Sequence, residues 1–106
     1  MYYTYILRCE DNSLYTGMTT DIERRMNEHF EQNVKCAKYT LRHKAKKLEM
    51  VWETSTRQLA LRLEFYIKNK LTKAQKEKLI KNPELINRIF GDKIEGKFYK
   101  KIDNFS

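Results

Sequence analysis

Tyr5 and Tyr15 sit on two successive β-rich segments, Tyr3-Thr4-Tyr5-Ile6-Leu7 and Leu14-Tyr15-Thr16-Gly17, and the helical stretch after them carries Arg25 and His29 four residues apart. Together these groups could hold and cut a phosphodiester. An arginine fork binds phosphate bidentately and stabilises charge that develops on it. A histidine titrates near neutrality and can relay a proton. A phenol has a pKa near ~10, so a tyrosine acting as a base needs positive charge beside it, from an arginine or a metal. Each residue also has a plainer reading: core tyrosines with bonded hydroxyls (Tyr2 and Tyr3 fit this), a surface arginine like Arg24, and a partly buried histidine.

Glu64 resists the plainer readings most. It lies inside the apolar stripe Ala60, Leu63, Ile67 and Leu71, four residues after the first and three before Ile67. A carboxylate there is costly unless it is paired or bound to a metal. This helix alone leaves two explanations level: an ion pair with an arginine, or oxygen ligation of a hard cation. Arg25 and His29 tip the balance towards the cation, which could neutralise a leaving oxygen.

These groups must be positioned by local structure. Residues 2–9 read as a well-covered strand, residues 10–13 as a turn and residues 14–19 as a second, antiparallel strand. Tyr5 and Tyr15 share a face only if odd positions pair with odd, and the residues leave that register open. Gly17 marks a bulge, a close backbone approach to a ligand or simple tolerance near a strand end. Thr20 and Glu23 form a capping box for the first helix, whose Ile22, Met26 and Phe30 should face the core. Residues 33–47 form a polar loop with a helical turn near 37–41, and a third strand runs from Leu48 to Trp52, ending at Glu53. Ser55 with Gln58 opens a helix to about Lys70, and Thr72 with Gln75 opens another to about Lys81. Pro83 starts a short helix that ends before Gly91, and residues 92–106 form a tail that is loose or docks late. The class is α/β, a small three-stranded antiparallel sheet flanked by helices. Residues 1–82 form the main domain, and residues 83–106 the short helix and C-terminal tail.

The chain has 106 residues, room for one domain, and 41% hydrophobic residues, enough for a modest core. Its net charge of +8 favours a polyanionic partner, nucleic acid before an acidic membrane surface, against the alternative of a merely lysine-rich soluble protein. Cys9 and Cys36 are too few for a zinc site and no CxxC occurs; both read as structural, although lysines around Cys36 would lower its pKa if it were exposed. With no signal peptide and no apolar run long enough to span a bilayer, the expectation is a cytoplasmic protein with no membrane partner. Lys35, Lys38, Arg42, Lys44, Lys46 and Lys47 follow one another without an acid, and Lys68, Lys70, Lys73, Lys76, Lys78 and Lys81 are interrupted only by Glu77. Such runs are usually solvated faces. The first lies just after the Arg25 helix and includes Tyr39; it is as readily a track for a phosphate backbone, with Tyr39 stacked on a base.

The ordered set resembles the GIY-YIG nuclease superfamily, in particular its small stand-alone members. Tyr3-Thr4-Tyr5 stands where that family has Gly-Ile-Tyr, Tyr15-Thr16-Gly17 where it has Tyr-Ile-Gly, and Arg25 matches the helix arginine. His29 matches a histidine found in a subset of members, and Glu64 matches the metal-binding glutamate. The resemblance covers roughly residues 2–82. It implies a metal-dependent endonuclease that hydrolyses DNA phosphodiester bonds in repair or processing, with RNA not excluded as a partner. Glu64 would bind Mg²⁺ or Mn²⁺, Arg25 would grip the scissile phosphate, and Tyr15 or Tyr5, with His29 able to share the role, would activate or orient water. The chain departs from the pattern at Tyr3, at Met18, where many repair-type members have lysine, and at Lys76, where several have asparagine. The departures keep open an alternative, a nucleic-acid-binding module without catalysis.

Overall fold

The structure, a computed structural model, describes residues 1–32 and 37–103. Lys35 and Cys36 therefore lie outside the described residues. The elements are β1 (Tyr2–Cys9), β2 (Leu14–Thr19), α1 (Ile22–Phe30), α2 (Lys38–Arg42), β3 (Ala45–Thr54), α3 (Arg57–Lys70), α4 (Lys73–Lys81) and β4 (Lys100–Lys101), with 3₁₀ turns at Pro83–Asn87 and Gly96–Phe98. The sheet is antiparallel, in the order β2-β1-β3-β4. No helix among the described residues is long and apolar enough to cross a membrane.

The β1–β2 turn works through its side chains. Asp11 accepts from the amide and the hydroxyl of Ser13, and Asn12 adopts φ 71°, a conformation asparagine tolerates. The resulting register pairs Tyr5 with Gly17 and Leu7 with Tyr15, odd with odd and without a bulge. Both tyrosines therefore project from one face.

The two faces carry separate cores. Tyr5, Leu7 and Val51 pack with Ile22 and Met26 of α1 on one face. Ile6, Met50 and Trp52 pack with Leu63 and Ile67 of α3, Leu79 of α4, and Ile86 and Phe90 on the other. Thr4 donates through its hydroxyl to the carbonyl of Ala60 at 2.8 Å, tying α3 to the central strand. At the far end of β1, Arg8 bonds both Glu77 of α4 and Glu49 of β3.

Several expectations need correction. Asp21, not Thr20, caps α1 by accepting from the amide of Arg24, and Thr56, not Ser55, caps α3. The capping box of Thr72 and Gln75 forms as expected. Phe30 is 39% exposed, because His29 takes the inward position at the end of α1. The third strand is longer than expected, and the sheet has four strands rather than three. The tail is the cause. Ile94 and Tyr99 are buried in the α3 core, Lys100 and Lys101 pair with β3, and Tyr99 donates to the carbonyl of Leu59 at 2.6 Å. Isolated aromatics in a charged segment concealed that docking.

Removing the Tyr99 ring should therefore cost about 3 kcal/mol, as buried aromatic truncations do. Urea unfolding of Tyr99→Ala checks this. A loss well under ~1 kcal/mol, the usual range for surface substitutions, would mean that the tail is not part of the core.

Candidate active site

The site forms where α1, α2 and α3 meet the outer strand β2. Its centre is Tyr5, which is completely buried. Its ring lies over Gly17: a Cβ at that position would meet the Tyr5 hydroxyl and stand 2.6 Å from its ring carbon Cζ. The structure shows no bulge at Gly17, and what approaches it is this phenol of the chain itself rather than the ligand expected from the sequence.

The hydrogen bonds around Tyr5 fix a direction. Thr40 donates its hydroxyl proton to the carbonyl of Ala37 (3.1 Å), so its oxygen accepts from Nδ1–H of His29 at 2.8 Å. That leaves Nε2 of His29 bare, to accept from the Tyr5 hydroxyl at 2.7 Å. His29 is fully buried, and burial, with the positive charge of Arg25, lowers its pKa from 6.5 to about 4. At neutral pH it is an uncharged acceptor that holds Tyr5 in place.

Tyr15 is only half-buried, and it touches both partners: its ring centroid is 6.2 Å from that of Tyr5 and 5.4 Å from that of His29. On its outer side it meets Tyr39 of α2 at 5.5 Å, and Tyr39 in turn stacks on His43 at 4.3 Å. Burial raises the pKa of both Tyr5 and Tyr15; the Arg25 guanidinium opposes that rise without overcoming it. Arg25 on its own does not make either phenol a base. Its guanidinium is held by Glu28 at 2.8 Å; burial works to lower its pKa, but Glu28 and the Tyr5 phenol outweigh it.

Glu64 projects from α3, the helix that packs on β1 and β2, and its charge is felt by both Tyr5 and Tyr15. The residue is half-buried, and burial pushes its carboxyl pKa up while Lys68 partly offsets the rise. Among the described residues no ion pair includes Glu64, and the acid partners of Arg8 and Arg25 are Glu49, Glu77 and Glu28. A structural Glu64–arginine pair, one of the two explanations for this residue, is thus not what holds it. Among the described residues no three His, Cys, Asp or Glu side chains gather into a cage for a metal. A lone, half-buried oxygen donor suits a hard cation that keeps most of its waters.

The predicted basic track does not run as one line. Lys38, Tyr39 and Arg42 lie on α2 beside Tyr15, whereas Lys44 precedes β3 and Lys46 lies on that strand, two places from β2 in the sheet. Lys76 is half-buried on α4, where burial and nearby Lys68 lower its pKa. Lys68, which the sequence offers only as a member of the second basic run, belongs to the site: its ammonium stands 5.4 Å from the centroid of the Tyr15 ring. Its spacing of four from Glu64, and that of three between Arg25 and Glu28, were available signals, because such pairs share a helix face. Thr40 gave none, since its role depends on where α2 packs.

Two outcomes follow. Gly17→Ala should destabilise the fold by about 1–3 kcal/mol and displace the Tyr5 hydroxyl from His29; ring-nitrogen NMR shifts of His29 would report the loss, and unchanged shifts would contradict the contact. Because the pKa of His29 is depressed in the folded state, the unfolded chain takes up its proton first as pH falls from 6.5 to about 4. Stability should decline across that window, and the His29→Gln variant should show a smaller slope there. Equal slopes in the two proteins would contradict a neutral, buried His29.

Comparison with known proteins gives a consistent picture. The model of the GIY-YIG catalytic domain matches residues 1–78. The UPF0213 protein FN1575 of Fusobacterium nucleatum is 46% identical over 83 residues, 78% of this chain and 80% of that protein. The UPF0213 protein YsiG of Lactococcus lactis is 41% identical over 101 residues, 95% and 94% of the two chains. The solution NMR structure of the UPF0213 protein BH0048 from Bacillus halodurans is 35% identical, covers 86% of this chain and 92% of that one, and superposes with a TM-score of 0.47. By its family match this chain belongs to the GIY-YIG family, a family of nucleases, and it is similar to UPF0213 proteins.

Proposed function

We propose that the chain is a divalent-metal-dependent endonuclease that hydrolyses DNA phosphodiester bonds in repair or processing. The observation that carries this reading is the convergence of Tyr5, Tyr15, Arg25 and His29 with the carboxylate of Glu64, which has no ion-pair partner among the described residues. A structural cluster would need neither an arginine against two phenols nor a desolvated acid beside them.

Each residue has a distinct task in this reading. Arg25, oriented by Glu28 and Tyr5, binds a non-bridging oxygen of the scissile phosphate and stabilises its growing charge. Tyr15, the phenol that is only half-buried, contacts substrate and orients the attacking water. Tyr5 and His29 are positioning residues, since both are buried and their bond fixes the geometry around Arg25. Water attacks phosphorus, the bond to the leaving oxygen breaks in line, and the water's proton passes to solvent near Tyr15. Glu64 would hold Mg²⁺ or Mn²⁺ through oxygen; such an ion, when bound, acidifies water and offsets charge on the leaving oxygen. Lys38, Tyr39 and Arg42 on α2 would meet the strand beyond Tyr15, with Tyr39 stacked on a base.

The test is nicking of plasmid and branched DNA with Mg²⁺ or Mn²⁺. Glu64→Ala and Arg25→Ala should each slow cleavage by about 10²–10³-fold while DNA binding persists. Variants that cut as fast as the wild type would overturn the assignment. Binding without cleavage by the wild type under any metal would leave a non-catalytic nucleic-acid module.

A further inference from the structure

Three of the chain's seven arginines line one groove, although lysine is the commoner cation. The groove is lined by Arg24, Arg25 and Glu28 of α1, Arg57 of α3, and Met18 and Thr19 at the end of β2. β2 is the outer strand of the sheet, with α1 on one face and α3 on the other, so the groove straddles its unpaired edge. It opens onto Arg25, the arginine of the site. Thr19 lies about 13 Å along β2 from Tyr15, at roughly 3.3 Å per residue.

Two features of this groove are unexplained by folding. Arg24 and Arg57 are exposed, and among the described residues neither has an acid within ion-pair distance, whereas Arg25 is matched by Glu28. Both also occupy the first turn of their helix: α1 begins at Ile22 and α3 at Arg57. A cation in a first turn opposes the helix dipole and is mildly destabilising there. Two such placements lining one groove make sense if an anion sits in it. The guanidinium fork suits phosphate better than an ammonium would.

We propose that this groove is a second phosphate subsite, in which Arg24 and Arg57 hold the nucleic-acid backbone as the strand enters the site along the edge of β2. The ligand class rests on the nuclease reading above; the placement of the strand does not. It assigns the approach path to two arginines outside the lysine runs.

The test is binding of a fluorescent single-stranded oligonucleotide in EDTA, where cleavage cannot interfere, over a range of salt concentrations. Each phosphate contact on a single strand adds about 0.7 to the slope of log K against log salt. Arg24→Gln/Arg57→Gln should lower that slope by about 1.4, and its thermal midpoint should hold or rise as the dipole conflict is removed. Lys93→Gln/Lys100→Gln removes the same charge, with Lys100 on β4 at the opposite edge of the sheet, and should leave the slope unchanged. A wild-type slope in the arginine variant, or an equal fall in the lysine variant, would overturn the subsite. A wild-type chain that binds no strand even at low salt would overturn this proposal and the nuclease reading together.

Discussion

The odd-with-odd register of β1 and β2 is the constraint on which the site depends. It puts Tyr5 opposite Gly17 and Tyr15 on the same face. A slip of one residue would send Tyr15 to the α3 core and leave Tyr5 beside a side chain instead of a glycine. The register is enforced from both ends. The Asp11–Ser13 bonds and the left-handed Asn12 set the turn, and Tyr5, with no exposed surface, fits only over a residue without a Cβ.

From that constraint the hydrogen-bond chain follows. Tyr5 in its slot meets His29, His29 meets Thr40, and Thr40 closes onto the backbone of the α2 turn. Burial governs the protonation states along this chain: the imidazole is kept neutral and the phenols are kept protonated, in spite of Arg25. The arrangement supplies geometry and one fixed positive charge. In the reading proposed above, the further positive charge needed to ionise a water or a phenol would come from a cation held by Glu64.

The residue types and their order were legible in the sequence because motifs are local. Tyr5, Tyr15, Arg25, His29 and Glu64 could be picked out by spacing and by the oddity of a carboxylate on an apolar stripe. What depends on long-range packing was not. The register required the turn geometry, and the burial of His29 in place of Phe30 required the end of α1 to be seen against the sheet. Between a loose and a docked tail the sequence does not decide, because Ile94 and Tyr99 bury themselves singly, without periodicity, against a core built by distant elements. Two of three expected N-caps lie one residue later, without a capping box, since neighbouring Thr-Asp and Ser-Thr pairs offer competing caps. The lysine-rich loop drew attention by its density, yet its members are divided between α2 and β3.

The central claim is that Glu64 and the tyrosine–arginine cluster share one cleft able to take a divalent cation. Paramagnetic NMR with Mn²⁺ tests it without relying on cleavage. Signals of Tyr15, Arg25 and Lys68 should broaden first as Mn²⁺ is added, and the effect should disappear in Glu64→Ala. Broadening centred on the Glu49–Glu77 pair or on Asp11, or broadening at Tyr15 that survives the loss of Glu64, would contradict the account.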